Sequence, residues 1–155
     1  MLNVLKIRSV AADDLPEWRV LWDGYNEFYG RVGPTRLPGE VTQTTWSRFL
    51  DPADPVYCIV AESGGVIVGI AHYLFHPSTT QPSNVCYLQD LFTSPDARGM
   101  GVGSALIQEV YSRAAGTGAS RVYWQTHESN ATARRLYDQV AEFRGFVVYS
   151  RQLQK

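Results

Sequence analysis

The spacing of apolar residues changes along the chain, and each change predicts an element. Leu5–Ser9 is a short apolar run suited to a first strand. Asp14 stands three residues before Glu17 in an acidic variant of the capping box, with Pro16 in the first turn. Behind it Trp18, Leu21, Trp22, Tyr25, Phe28 and Tyr29 recur at helical spacing, and the helix is expected to end near Gly30. A loop with Pro34 and Pro38 leads to a second helix over residues 41–50, which the Asp51-Pro52-Ala53-Asp54-Pro55 run stops. Residues 57–62 and 66–75 read as a hairpin around Ser63-Gly64-Gly65, and residues 84–93 as a further strand. The stripe Val102, Leu106, Val110, Ala114 marks an amphipathic helix over 101–115. Residues 121–126 then read as a strand, Ser129 as the cap of a helix reaching about Val140, and 146–153 as a closing strand.

This order predicts an α/β fold. The early hairpins imply antiparallel pairing, and the strand–helix–strand unit over 84–126 implies a parallel, right-handed crossover. The expectation is a single domain over residues 1–155, with a mixed, mostly antiparallel sheet of six to seven strands flanked by helices.

Composition narrows the partners. The chain has 155 residues, 45% hydrophobic and 19% charged, with a formal net charge of -1, so it offers no basic field for nucleic acid or an anionic membrane. No apolar run is long enough for a bilayer, and residues 1–18 lack the pattern of a secretory leader, so a cytoplasmic location is expected. Cys58 and Cys86 sit in separate strand-like runs and read as buried thiols. His72, His76 and His127 show no metal-ligand spacing, so no metal is expected.

The informative segment runs from Tyr87 through Leu91, Phe92 and Thr93 to Arg98-Gly99-Met100-Gly101-Val102-Gly103-Ser104. Here a strand enters a turn with three alternate glycines, where a helix begins. Backbone without Cβ atoms lets N–H groups approach an anion closely, the helix start adds unpaired donors, and Arg98 adds a permanent charge. Together they make a pyrophosphate cradle. A P-loop needs lysine before its Ser/Thr, and Gly103-Ser104 has none. A dinucleotide fingerprint wants glycine where Ser104 stands and an acid ending the next strand, and 121–126 contains no acid. Both nucleotide alternatives lose.

The hexapeptide Arg98 to Gly103 matches the Arg/Gln-x-x-Gly-x-Gly/Ala signature of the GNAT superfamily of N-acetyltransferases. Asn130-Ala131-Thr132-Ala133-Arg134-Arg135-Leu136-Tyr137 resembles that family's second motif, an Asn-x-x-Ala-x-x-Leu-Tyr helix. Tyr87-Leu88-Gln89-Asp90-Leu91-Phe92 is similar to the branch containing polyamine, diamine and histone/polyamine acetyltransferases, where the strand reads Leu-Glu-Asp and Gln89 here replaces the glutamate.

The resemblance implies the acyl-CoA N-acyltransferase fold, transfer of acetyl from acetyl-CoA to a small-molecule or peptide amine by direct attack, and a homodimer. It implies that the backbone of Leu91, Phe92 and Thr93 holds the pantetheine arm, with the Leu91 N–H facing the thioester oxygen. Arg98, Gly99, Met100, Gly101, Val102, Gly103 and Ser104 would bind the pyrophosphate, and Asn130 and Ala133 would lie against the pantetheine. Tyr137 would protonate the departing thiolate. Tyr25, Tyr29 and Gln89 are candidates for the acceptor pocket, with Phe28 beside them. For the amine proton, Asp90, water leading to Glu128, and bulk solvent stay open. Asp90 would turn away from Gln89 unless a bulge intervened. A degenerate acyl-CoA-binding module without turnover is the rival reading.

Overall fold

A single sheet organises residues 4–125 of the computed structural model, which describes residues 4–154. Its strands are β1 (Leu5–Ser9), β2 (Val56–Ser63), β3 (Val66–His76), β4 (Val85–Thr93) and β5 (Val122–Tyr123), in the order β1-β2-β3-β4-β5. The first three pairings are antiparallel and β4–β5 is parallel. Three helices complete this part: α1 (Leu15–Phe28), α2 (Gly39–Leu50) and α3 (Val102–Gly116). The chain divides into two compact units, Met1–Gln125 and Thr126–Lys155, and the second carries α4 (Ala131–Val140).

Unbroken burial of Cys58, Ile59, Val60 and Ala61 shows that β2 is covered on both faces. On one face, Trp18, Leu21, Trp22 and Tyr25 of α1 and Trp46 of α2 form a core with Cys58, Val60, Ile70 and Phe92. These α1 residues follow the i, i+3, i+4, i+7 pattern that the sequence displays. On the other face lies α3, whose Val102, Leu106, Ile107 and Val110 are buried. Gly69 shows how closely α3 approaches. A Cβ there would stand 2.5 Å from Val102 Cγ1 and 3.0 Å from Leu106 Cδ1.

Two local expectations change. Asp14 does not cap α1 through its side chain. Its carboxylate instead accepts from Arg8 at 2.6 and 2.9 Å and from the Ala11 N–H at 2.7 Å, while Glu17 accepts from the Ile67 N–H at 2.8 Å. A bidentate guanidinium is a stronger partner than a helix N–H. In the second unit, the α4 cap is Asn130, whose side chain accepts from the Ala133 N–H at 3.3 Å. Ser129 Oγ is engaged with His127 Nδ1 at 2.9 Å instead.

The sheet has five strands among the described residues rather than six to seven. The expected strand over 121–126 is only Val122–Tyr123, and 146–153 forms no strand. Phe146, Val147, Val148 and Tyr149 are all exposed. Branched and aromatic residues favour a strand only when a neighbouring ladder is there to pair with.

Gly69→Ala should therefore lower stability by about 1–3 kcal/mol, because Val102 must move within a packed face. Gly39→Ala, at an open position in α2, should be neutral or mildly stabilising. Chemical denaturation of the two variants checks the contrast.

Candidate active site

The sheet opens next to the glycine turn. β4 pairs with β3 along nearly its whole length, from Val85 to Thr93. On its other side it meets β5 only through Cys86–Val122 and Tyr87–Tyr123. From Leu88 onward, through Leu91, Phe92 and Thr93, that second edge has no partner strand among the described residues. Such an edge presents backbone donors and acceptors that an extended ligand arm can use like an added strand. The Phe92 side chain is committed to the core, where its ring lies 3.0 Å from where a Gly24 Cβ would be.

Beyond the strand, a single turn at Pro95–Ala97 leads to Arg98, and Gly99 and Gly101 have φ of +80° and +79°. Those angles suit glycine, and no atom lies within 4 Å of where either Cβ would stand. The space above the turn is open. Gly101 precedes the fifteen-residue α3 without a side-chain cap, so the leading N–H groups have no intrahelical acceptor and the positive end of the dipole is bare. The Arg98 guanidinium lies 5.5 Å from the centre of the Phe92 ring, beside this opening. Two crowded phosphates need donors, fixed positive charge and freedom from side chains, and the turn supplies all three.

On the α1 face, a cavity of about 260 Å³ is lined by Tyr25, Arg31, Arg48, His72, Gln89 and Asp90, among others. A bulge creates its polar wall. His72 pairs with Asp90 and Tyr73 with Leu88, which leaves Gln89 unmatched. Without that extra residue, Asp90 would follow Leu88 toward α3, where the paired Tyr73 bonds with Arg113. With it, Gln89 and Asp90 both reach the cavity. The bulge that the sequence left as a condition is present.

Asp90 is held from two sides. Its Oδ2 lies 2.8 Å from His72 Nδ1, and the Tyr25 hydroxyl bonds to it. His72 is buried, and its Nε2 lies 3.0 Å from Trp18 Nε1. An indole N–H can only donate, so His72 Nε2 must be the bare nitrogen and Nδ1 carries the proton. His72 is therefore a neutral donor to Asp90, and Asp90 is a carboxylate with two donors fixed on it. Burial, then the charge of Asp90, pushes the Tyr25 hydroxyl well above the ordinary phenol range, so Tyr25 remains a donor as well.

Of the other sequence candidates, Tyr29 leans on Tyr25 with ring centres 5.0 Å apart and is 41% exposed, while Phe28 is 58% exposed. Neither lines the cavity. Met100 is exposed, and Val102, the first residue of α3, is buried against the sheet at Gly69. Asn130, Ala133 and Tyr137 share one side of α4 at i, i+3, i+7 spacing in the second unit. His72, Arg31 and Arg48 carried no recognisable sequence signal, because only the strand register and the packing of α1 and α2 bring them to Asp90. Among the described residues no cluster of three or more metal-ligating side chains occurs, and no helix is long and apolar enough to cross a membrane.

Residues 18–143 match the acetyltransferase (GNAT) family. The chain belongs to that family. GNAT members take their acetyl group from acetyl-CoA, and this chain is accordingly an acetyl-CoA-dependent N-acetyltransferase. It is 38% identical over 148 residues to the D-amino-acid N-acetyltransferase HPA3 of Saccharomyces cerevisiae, covering 94% of this chain and 89% of that one. It is 34% identical over 89 residues to the thialysine N-epsilon-acetyltransferase of Bos taurus, about half of each protein (52% and 52%). In fold it is similar to the aminoglycoside N-acetyltransferase AAC(6')-Iy solved with CoA, with a TM-score of 0.81 over 98% of this chain and 97% of that one at 20% identity.

The donor logic around His72 makes a prediction. Nitrogen NMR at neutral pH should show His72 protonated at Nδ1 and bare at Nε2, and the opposite tautomer would contradict the arrangement. His72→Phe strands the buried Trp18 N–H and removes a donor from Asp90. It should cost about 1–3 kcal/mol for each buried group left unpaired, read by chemical denaturation.

Proposed function

We propose that residues 1–155 act as one N-acetyltransferase domain that acetylates the amine of a free amino acid by direct attack. The observation that carries this reading is the carboxylate of Asp90, delivered by the bulge into a small cavity on the part of β4 whose other edge is unpaired. An amine held there lies next to the strand residues that suit the pantetheine arm. The match over 18–143, which spans both units, supports treating them as one domain. The acceptor class is supported by the yeast relative, whose stated substrates are D-amino acids, and by a cavity suited to a small molecule rather than a long peptide.

In this reading Arg98 and the backbone from Gly99 to Ser104 bind the pyrophosphate, and Leu91, Phe92 and Thr93 bind the pantetheine arm with Asn130 and Ala133. Bound acetyl-CoA supplies an activated thioester carbonyl. Asp90 pairs with the incoming ammonium, which titrates near pH ~10 in water, and takes its proton on the way to solvent. The amine nitrogen then attacks the carbonyl carbon while the Leu91 N–H supports the charge growing on oxygen. As the carbon–sulfur bond breaks, Tyr137 gives its proton to the CoA thiolate. Gln89, which is neutral, lines the acceptor end without acting as a base. The buried thiols Cys58 and Cys86, the latter pushed up to about 11 by burial, support a reducing cytoplasm. The homodimer rests on the family resemblance.

Release of free CoA from acetyl-CoA in the presence of single amino acids tests the reading, and no release with any amine would defeat it. Gly101→Asp adds a side chain and a negative charge at the cradle and should weaken CoA binding at least about tenfold by calorimetry, from simple charge repulsion. Tyr137→Phe keeps the ring and should slow the chemical step on the order of a hundredfold. A change within about twofold would leave Tyr137 a packing role only.

A further inference from the structure

The acceptor cavity has a second pole. Asp90, Arg31 and Arg48 are the charged side chains on its wall, since His72 is neutral. Arg48 already has a carboxylate partner, Asp54, at 3.6 Å. No carboxylate lies within ion-pairing distance of Arg31 among the described residues. Arg31 is nonetheless held firmly. Its Nη1 donates to Asn26 Oδ1 at 2.9 Å and its backbone N–H donates to the Asn26 carbonyl at 2.9 Å. Asn26 is itself buried, with its amide donating to the Trp22 carbonyl at 2.9 Å. The guanidinium also rests 5.4 Å from the Tyr29 ring centre and 5.9 Å from that of Tyr25.

This bracket orients a cation without neutralising it. Ring faces and an amide carbonyl fix the guanidinium plane, and the remaining N–H groups stay available for a planar anion. Tyr25 spans the two poles, with its ring beside Arg31 and its hydroxyl on Asp90. Both charges act on the Tyr25 and Tyr29 hydroxyls, Asp90 opposing and Arg31 favouring their ionisation, so the two poles share one small space.

We propose that Arg31 binds the carboxylate of the acceptor while Asp90 binds its ammonium, so that the site selects zwitterionic α-amino acids. The proposal rests on amine acetylation in this cavity and names the residue that sets its specificity. An α-amino acid carries both groups on one carbon and satisfies both poles. A polyamine satisfies Asp90 but brings its second cation toward Arg31, where like charges repel. A site built to pair a substrate charge discriminates strongly against an analogue lacking it, because its own charge is then left unpaired.

The test compares kcat/KM for alanine, leucine and methionine of both hands with their amides, the matching decarboxylated amines and putrescine. The amides keep the amine and the side chain but lose the negative charge. For the best amino acid, wild-type protein should prefer the acid over its amide by at least about tenfold. Arg31→Met should bring that ratio to near one, and Arg31→Lys should retain part of it. A purely structural Arg31 would slow acid and amide alike and leave the ratio unchanged, which would overturn the assignment. Equal wild-type turnover of the amide or of putrescine would overturn it too, while leaving amine acetylation standing. If no compound releases CoA, amine transfer itself fails and Arg31 has no substrate to read.

Discussion

An indole N–H donates and never accepts, and the site on the α1 face depends on that asymmetry. Trp18 is fully buried and anchors the aromatic core of α1 and α2. Its one polar atom points at His72, so the packing of the core also sets the tautomer of a histidine on β3. The histidine in turn presents a proton to Asp90. A residue that stabilises the fold by burial thus fixes which donor faces Asp90 at the cavity wall. The chain of donors starts at Trp18, whose indole nitrogen can accept no proton in return. The core therefore offers Asp90 no relay for a proton, and the cavity is its one open side.

The bulge at Gln89 and the opening beside β4 work at the same few residues. One extra residue turns the strand so that Asp90 reaches the α1 face, and the next residues run along an edge that β5 does not cover. The cavity at Asp90 and the unpaired edge from Leu91 to Thr93 are therefore separated by a single step along the backbone. Their spacing follows from covalent geometry and leaves little for loop motion to decide. α3 begins a few residues later and aims its uncapped end at the same opening.

Much of this was legible in the sequence where a pattern has one physical cause. The Trp18, Leu21, Trp22, Tyr25 stripe has a single periodicity and yields α1, and alternate glycines between a strand and a helix yield the cradle. What stayed hidden depends on choices between partners. Asp14 looks like a cap until Arg8 competes for it, and Ser129 until Asn130 takes the position. Residues 146–153 have the composition of a strand but pair with none among the described residues. His72 is one of eleven residues in a strand, and nothing marks it until register sets it against Asp90. Arg31 reads as loop charge until Asn26 and the tyrosines hold it. Tyr25, Gln89 and Asp90 of the cavity were named from the sequence, whereas His72, Arg31 and Arg48 emerged from packing.

The uncovered edge of β4 has a consequence beyond chemistry. A strand edge without a neighbour is a template, and whatever completes it becomes part of the folded architecture. A donor bound along this edge as proposed is thermodynamically linked to the native chain, and at a hundred times its dissociation constant it would add about 2.7 kcal/mol to stability. Folding and donor supply are in that case one equilibrium, and the edge is finished by a metabolite rather than by a strand.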